Sequence, residues 1–234
     1  VTVKVEIFSD VVCPWCAIGK RRFEAALAQF EHADEVEVIW RSFELNPGAP
    51  RVSSGDSATL LAAKYGMTRE QALQTYDKLT ATAAEVGLDF RFDKSQHGNT
   101  FDAHRLLHFA QDQGVQGALK ERLLIACFTE GEAIGDPETL VRLAAAVGLD
   151  PEGAAEVLAS DRYADAVRAD ERDATELGVT GVPFFVVGGR FGIPGAQDPE
   201  TILRVLIRAW DADHPLTIVS SGDEGACEGD TCSI

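Results

Sequence analysis

The sequence predicts an α/β fold in which one small sheet is assembled from two ends of the chain, with a large all-helical block inserted between them. Three observations carry this: two strand-like segments near the N-terminus, a long stretch of helical periodicity after residue 56, and a hairpin signal near residue 188. The 234 residues are 45% hydrophobic, enough for a substantial core. Cys13, Cys16, Cys127, Cys227 and Cys232 are too few and too unevenly placed for the disulfide framework of a small secreted protein.

Charge narrows the partners. With 21 basic against 38 acidic side chains the formal charge is −17, which repels phosphate backbones and anionic lipid, so neither nucleic acid nor a membrane is expected as a partner. No apolar run reaches the ~20 residues of a spanning helix, and the first residues carry no basic-then-apolar leader, so a cytoplasmic location is expected.

The elements follow in order. "VKVEIFSD" (3–10) alternates Val3, Val5 and Ile7 against Lys4 and Glu6, a strand with one better-buried face. From Pro14, Ile18, Phe23, Ala26, Leu27 and Phe30 recur at helical spacing, and a proline is welcome in a first helical turn. "EVEVIWRSFEL" (35–45) reads as a second strand. Helices are expected at 57–66, 69–86, 100–113, 116–130, 137–147, 151–158 and 161–177, several ending near Gly87, Gly114, Gly131, Gly148 and Gly178. Phe184 to Val187, the pair Gly188 and Gly189, and a second short run make a hairpin; a last helix spans about 198–212. The expected organisation is a thioredoxin-like domain from 1–48 and 179–213, a helical insertion domain at 49–178, and a flexible acidic tail at 214–234.

Cys13 and Cys16 lie at the first strand-to-helix junction, where unpaired N–H groups and the helix dipole favour a thiolate. Such a pair can be a redox centre, half of a zinc site, or two small core residues. The junction favours redox chemistry, because structural zinc pairs are followed by a second ligand pair at defined spacing. Cys13 is then the nucleophile and Cys16, three residues along the same turn, the resolving thiol. Val182–Pro183 opens the hairpin facing this turn, with the Val182 backbone available to an extended substrate. From the residues alone a trans proline at a strand edge is the plainer reading.

Taken together, "VEIFSDVVCPWCAIGKRRFE", "NTFDAHRLLHFA", "GVTGVPFFVVGGRFGIPGAQ" and a cysteine-bearing tail resemble the DsbA family of thioredoxin-fold oxidoreductases, in its cytoplasmic FrnE-like branch. The resemblance implies a dithiol at Cys13 and Cys16 flanking Pro14 and Trp15, a cis proline at Pro183, and Asn99, His104 and Arg105 lining a cleft above the dithiol. It also implies client proteins with disulfides or thiols as partners and no cofactor, with glutathione as a candidate redox partner. Trp15 stands where DsbA has a histidine between its cysteines; an indole cannot stabilise a thiolate as a cation does, so a pair less oxidising than about −120 mV is expected. A related class, the 2-hydroxychromene-2-carboxylate isomerases and kappa glutathione transferases, uses a lone serine or cysteine with glutathione. The presence of both cysteines favours disulfide exchange over that alternative. A zinc-binding or holdase module using four cysteines is the third reading.

Other residues have plainer readings. Asn99 suits a helix N-cap; His97, His104 and His108 lack a companion Glu or Cys at metal-binding spacing, so no metal is expected. Cys127, among Leu123, Leu124 and Phe128, reads as a buried hydrophobe. Glu44 is a candidate proton acceptor for Cys16, though a solvated strand-end charge is the plainer reading, and Lys20, Arg21 and Arg22 read as solvated. In the tail, "CEGDTC" has no core to fill, and the expectation is that Cys227 and Cys232 form an auxiliary redox pair exchanging with Cys13 and Cys16; two idle thiols is the alternative.

Overall fold

The computed structural model describes residues 2–52, 55–96 and 98–214. Four strands, β1 (Val3–Ser9), β2 (Val36–Ser42), β3 (Phe184–Val187) and β4 (Phe191–Pro194), form one sheet in the order β2-β1-β3-β4. β1 pairs parallel with β2, setting Ile7 beside Trp40, and antiparallel with β3, setting Ile7 beside Phe185. The early strands and the late hairpin thus share one sheet, as the two ends of the sequence predict.

α1 (Pro14–Leu27) and α9 (Pro199–Asp213) cover one face. Val3, Val5 and Ile7 from β1 meet Phe23, Phe185, Ile202 and Leu206 there. Between the sheet halves run α2 (Ser57–Tyr65), α3 (Arg69–Glu85), α4 (Phe101–Asp112), α5 (Gln116–Ile125), α6 (Pro137–Ala145), α7 (Pro151–Ala159) and α8 (Ala164–Glu176). Asp-Pro pairs start three helices with one device. Asp136, Asp150 and Asp198 each accept a backbone N–H of the first turn, while the proline behind them occupies a position that needs no donor. The helix expected at 116–130 changes pitch: α5 ends at Ile125 and a π-helical turn, Ala126–Glu130, completes it before Gly131. At φ 74°, Gly131 brings its backbone so near Lys94 that a Cβ would lie 2.5 Å from that carbonyl oxygen.

The insertion is joined to the rest by packing and by polar contacts. Val11, Ala17 and Ile18 belong to the same apolar cluster as Leu106, Leu119, Leu123 and Leu140. α8, which a boundary at residue 178 groups with the insertion, lies against β2, and its Ala174 packs with Phe8 and Val186 on the second face of the sheet. β2 is an edge strand, and an edge leaves N–H and C=O groups that need partners when covered. Gln116 supplies two of them: Oε1 accepts the Trp40 N–H and Nε2 donates to the Trp40 carbonyl, both at 2.9 Å. Asp170 accepts the Ser42 N–H at 2.7 Å. Here a side chain does the work of a neighbouring strand.

Three charges expected in solvent are paired instead, Lys20 buried and Arg21 and Arg22 half-buried. Lys20 is 7% exposed and bonds Glu24 of its own helix and Glu121 of α5, the latter at 2.6 Å. Arg21 reaches the same two carboxylates, and Arg22 donates to the Ala196 carbonyl at 2.6 Å. For Lys20 and Arg21 the reason is Glu121 of α5, a helix distant in sequence, and for Arg22 it is the loop after β4. Because Gln116 is buried and bonded on both sides of its amide, Gln116→Ala leaves the Trp40 N–H and carbonyl unpaired. A loss of about 1–3 kcal/mol in urea unfolding is expected, whereas an unchanged midpoint would show that water replaces the amide at the strand edge.

Candidate active site

Residues 9–13 turn the chain from β1 into α1, and Asp10 holds this turn. Its carboxylate is fully buried and accepts the Val11 N–H at 2.7 Å and the Leu45 N–H at 2.8 Å, with His104 Nε2 at 3.3 Å. Burial raises such a carboxyl, but His104, the Leu45 N–H and Lys120 together hold it below the usual range. Asp10 also accepts the Cys13 N–H through its carbonyl, at 3.4 Å, so the same residue starts the turn that presents the cysteines.

Cys13 occupies the N-cap of α1 in an extended conformation and Pro14 opens the helix. The Cys16 N–H closes the first turn on the Cys13 carbonyl at 3.0 Å. Cys13 and Cys16 are free cysteines and both are buried, Cys13 at 4% exposure. Trp15 between them is the open part of the motif, at 44%. A hydrogen bond from Cys16 pulls the Cys13 thiol below its ordinary value against burial, assisted by the backbone N–H groups of Cys16 and Trp15. Cys16 moves far the other way, raised by burial and then by the neighbouring Cys13 sulfur. Two thiols one turn apart are thereby given different chemistry, one poised to ionise and one to hold its proton.

Opposite stands the loop before β3. The Val182–Pro183 bond is cis, as the family resemblance implies and against the plainer reading of the residues alone. The Val182 carbonyl accepts from Cys13 Sγ at 3.5 Å. Pro183 can sit this close to α1 because residue 19 is glycine, where a Cβ would stand 2.9 Å from the proline Cγ. The glycine acts by lacking a side chain.

The residues of "NTFDAHRLLHFA" separate into different tasks. His104 is 1% exposed and reaches the dithiol only through Asp10, so it braces the site from beneath instead of lining a cleft. Arg105, also expected at the cleft, is 4% exposed and turns to the end of α7, donating to the carbonyls of Arg162, Val157 and Ser160 and to Asp102. That fork satisfies carbonyls a helix end leaves open. Asn99 lies before Thr100, the residue that occupies the N-cap of α4; its Oδ1 accepts the Phe101 N–H at 2.9 Å and its amide donates to the Pro47 carbonyl at 3.1 Å. His108 faces Asp170 at 3.1 Å and Ser42 at 3.2 Å. Glu44, read as a solvated charge, has its side chain fully covered and paired with Arg168 at 2.7 Å. Burial raises its carboxyl despite Arg168. The acid beside the dithiol is Asp10. Cys127 is buried, and desolvation pushes its thiol up to about 12. Cys227, Cys232 and His97 lie outside the described residues.

Two residues near the dithiol, besides Gly19, carry no motif. Asp10 is one. The other is Lys120 of α5, fully buried and lowered by desolvation against the charges of Cys16, Asp10 and Cys13.

A family model described as DSBA-like thioredoxin domain matches residues 4–206. The uncharacterized protein YwbO of Bacillus subtilis is 32% identical over 208 residues, 88% of this chain and 96% of its own length. The crystal structure of a probable DsbA oxidoreductase from Streptomyces coelicolor is 46% identical, with a TM-score of 0.86 over 99% of both chains. The cytosolic disulfide reductase DsbM of Pseudomonas aeruginosa, solved with GSH, is 20% identical with a TM-score of 0.62, covering 88% of this chain and 98% of its own, a likeness of fold. On its sequence, its sheet order and its helical insertion, the chain belongs to the DSBA-like thioredoxin domain family of oxidoreductases.

Proposed function

We propose that the chain is a thiol-disulfide oxidoreductase acting on protein clients in the cytoplasm, with Cys13 as nucleophile and Cys16 as resolving thiol. The observation that carries this is two free thiols on the first turn of one helix, with Cys13 Sγ 3.5 Å from the Val182 carbonyl of the facing loop, and the opposite displacement of the two thiols agrees with it. The Cys13 thiolate attacks a client disulfide, one client sulfur leaves as a thiolate, and Cys13 is left in a mixed disulfide. Cys16 then attacks the Cys13 sulfur, closing the internal disulfide and releasing the second client sulfur. The reverse sequence oxidises a client dithiol. Pro14, Trp15 and Val182 are the contact surface: the indole offers an apolar face, and the Val182 carbonyl, once Cys13 is ionised and no longer donates, is open to a client N–H.

Glutathione fits as the small thiol that resets the pair, and DsbM, a disulfide reductase of similar fold, was solved with GSH. A glutathione-dependent isomerase of the lone-nucleophile type has no use for the second thiol. The tail thiols Cys227 and Cys232 remain the proposed auxiliary pair. No described helix is long and apolar enough to cross a membrane.

Three measurements test this reading. Cys13→Ser is expected to lower insulin-disulfide reduction by about 100-fold or more, and full activity in that variant removes Cys13 as nucleophile. Iodoacetamide labelling, resolved by peptide mapping, is expected to strike Cys13 before Cys16. Since the reactive form is the thiolate and Cys13 lies below an ordinary thiol, its labelling rate should reach half-maximum below about pH 8.5 as pH rises. Faster labelling of Cys16 would reverse the assignment. Equilibration with glutathione buffers should place the pair at a potential more negative than about −120 mV, a value at or above that marking Trp15 as irrelevant to the poise.

A further inference from the structure

Lys120 has a place in the core and no ordinary reason to be there. Its residue exposure is 0%, and its Nζ has no hydrogen-bond partner among the described residues. Lysines are almost never fully buried without a partner, because an ammonium loses its hydration and regains nothing. Around it, α5 contributes Leu119, Leu123 and Leu124, all buried, and β2 contributes the Trp40 ring, whose centre lies 5.4 Å from Nζ. The face of an indole attracts a cation but does not replace three hydrogen bonds.

The charged and titratable groups that face this nitrogen are few. The turn after β1 supplies Asp10; α1 supplies Cys13, Cys16 and Lys20; α4 reaches the cluster through His104, which bonds Asp10. Lys20 is itself held by Glu24 and Glu121. Asp10 already has two N–H donors and His104. Its negative charge raises Cys13, whereas the charge of Lys120 favours the ionised form of Cys16. Lys120 is therefore the cation not already held by a carboxylate among these groups.

We propose that Lys120 is a positioning residue for disulfide exchange: its ammonium, delivered from the helical insertion, stabilises negative charge on the Cys16 sulfur as Cys16 resolves the mixed disulfide. This rests on Cys13 and Cys16 being the exchanging pair. In that step the Cys16 sulfur bonds to the Cys13 sulfur, and the bond between Cys13 and the client sulfur breaks. The client sulfur leaves with the electron pair and takes up the proton that Cys16 gives up. The client is reduced, the dithiol is oxidised, and Lys120 neither gains nor loses a proton. Resolution is the stage that needs help, since Cys16 is the thiol that resists ionising.

The test uses the full chain with Cys227→Ser and Cys232→Ser, so that tail thiols release no colour with the aromatic disulfide DTNB. Attack by Cys13 releases one thionitrobenzoate and resolution by Cys16 releases the second, giving two phases in stopped flow. In Lys120→Met the second phase is expected to slow about tenfold or more and to shift to higher pH, with a smaller change in the first. Lys120→Arg, which keeps the charge, should restore much of the rate. A purely structural role would change thermal stability and leave the second phase and its pH profile where they were, which overturns the proposal. A second measurement needs no substitution at Lys120: its side-chain NMR titration in the reduced and the disulfide forms. Oxidation removes the negative charge that the reduced dithiol carries on Cys13, so the Lys120 midpoint is expected to fall to lower pH, and equal midpoints overturn the proposal even if the variants do not fold. Absence of the first phase with a shifted midpoint would instead remove Cys13 as the nucleophile and leave the pairing of Lys120 with the dithiol standing.

Discussion

The buried carboxylate of Asp10 is the constraint on which the rest of the structure depends. A charge with no access to water has to be met by donors, and three parts of the chain supply them: Val11 in the turn itself, Leu45 after β2, and His104 on α4. Those three contacts fix where β1 ends, how the chain leaves β2, and how the insertion sits against both. Since the Cys13 N–H bonds the carbonyl of this same residue, the position of Cys13 follows from the position of the acid. The acid also opposes the cysteines, because its charge raises Cys13. The hydrogen bond from Cys16 and the N–H groups of the first helical turn have to overcome that opposition as well as burial.

A helical block of this size could have been a lid attached by two linkers. Instead its side chains enter the sheet edge. Gln116 completes the hydrogen bonding of Trp40, Asp170 caps the Ser42 N–H, His104 braces Asp10, and Glu121 meets Lys20 and Arg21 on α1. Each is a polar group buried at a junction between parts distant in sequence, where an unpaired partner costs more than the bond itself contributes. Such contacts resist sliding in a way apolar surfaces do not. The inserted helices therefore specify the geometry of the dithiol as much as the sheet does.

The same junctions explain what was legible in the sequence. Periodicity and Asp-Pro or Gly punctuation report on one helix at a time, and the strands, α1 to α9 and the hairpin emerge within a few residues of expectation. Cys13 and Cys16 are legible because a pair of cysteines three residues apart stands out in the sequence itself. Lys20 and Glu44 are not: each is charged, and a charge reads as solvent until another element is known to cover it, and Arg105, which the resemblance put in the cleft, is instead taken up by the end of α7. Lys120 left a trace, since Gln116, Lys120, Leu123 and Cys127 fall at helical spacing along one buried stripe of α5 and the turn that completes it. Asp10 and Gly19 left none beyond standing near the cysteines, because accepting N–H groups from afar and lacking a Cβ have no signature in one chain.

These residues also show why stability and chemistry pull apart at the centre of the molecule. A methionine at position 120 would fill the same space without an unsolvated ammonium, and an asparagine at position 10 would remove a buried charge. Either exchange relieves a cost of burial, yet each alters the field at the two sulfurs. With Asp10 alone the dithiol would sit in a negative environment in which a thiolate forms reluctantly; with Lys120 alone a buried cation would lack a carboxylate that offsets it. Placed together, the two charges limit each other's cost while acting on the cysteines with opposite sign. The difference between Cys13 and Cys16 is set by the hydrogen bond between them and by burial, and the acid from the turn after β1 and the base from the insertion both narrow it.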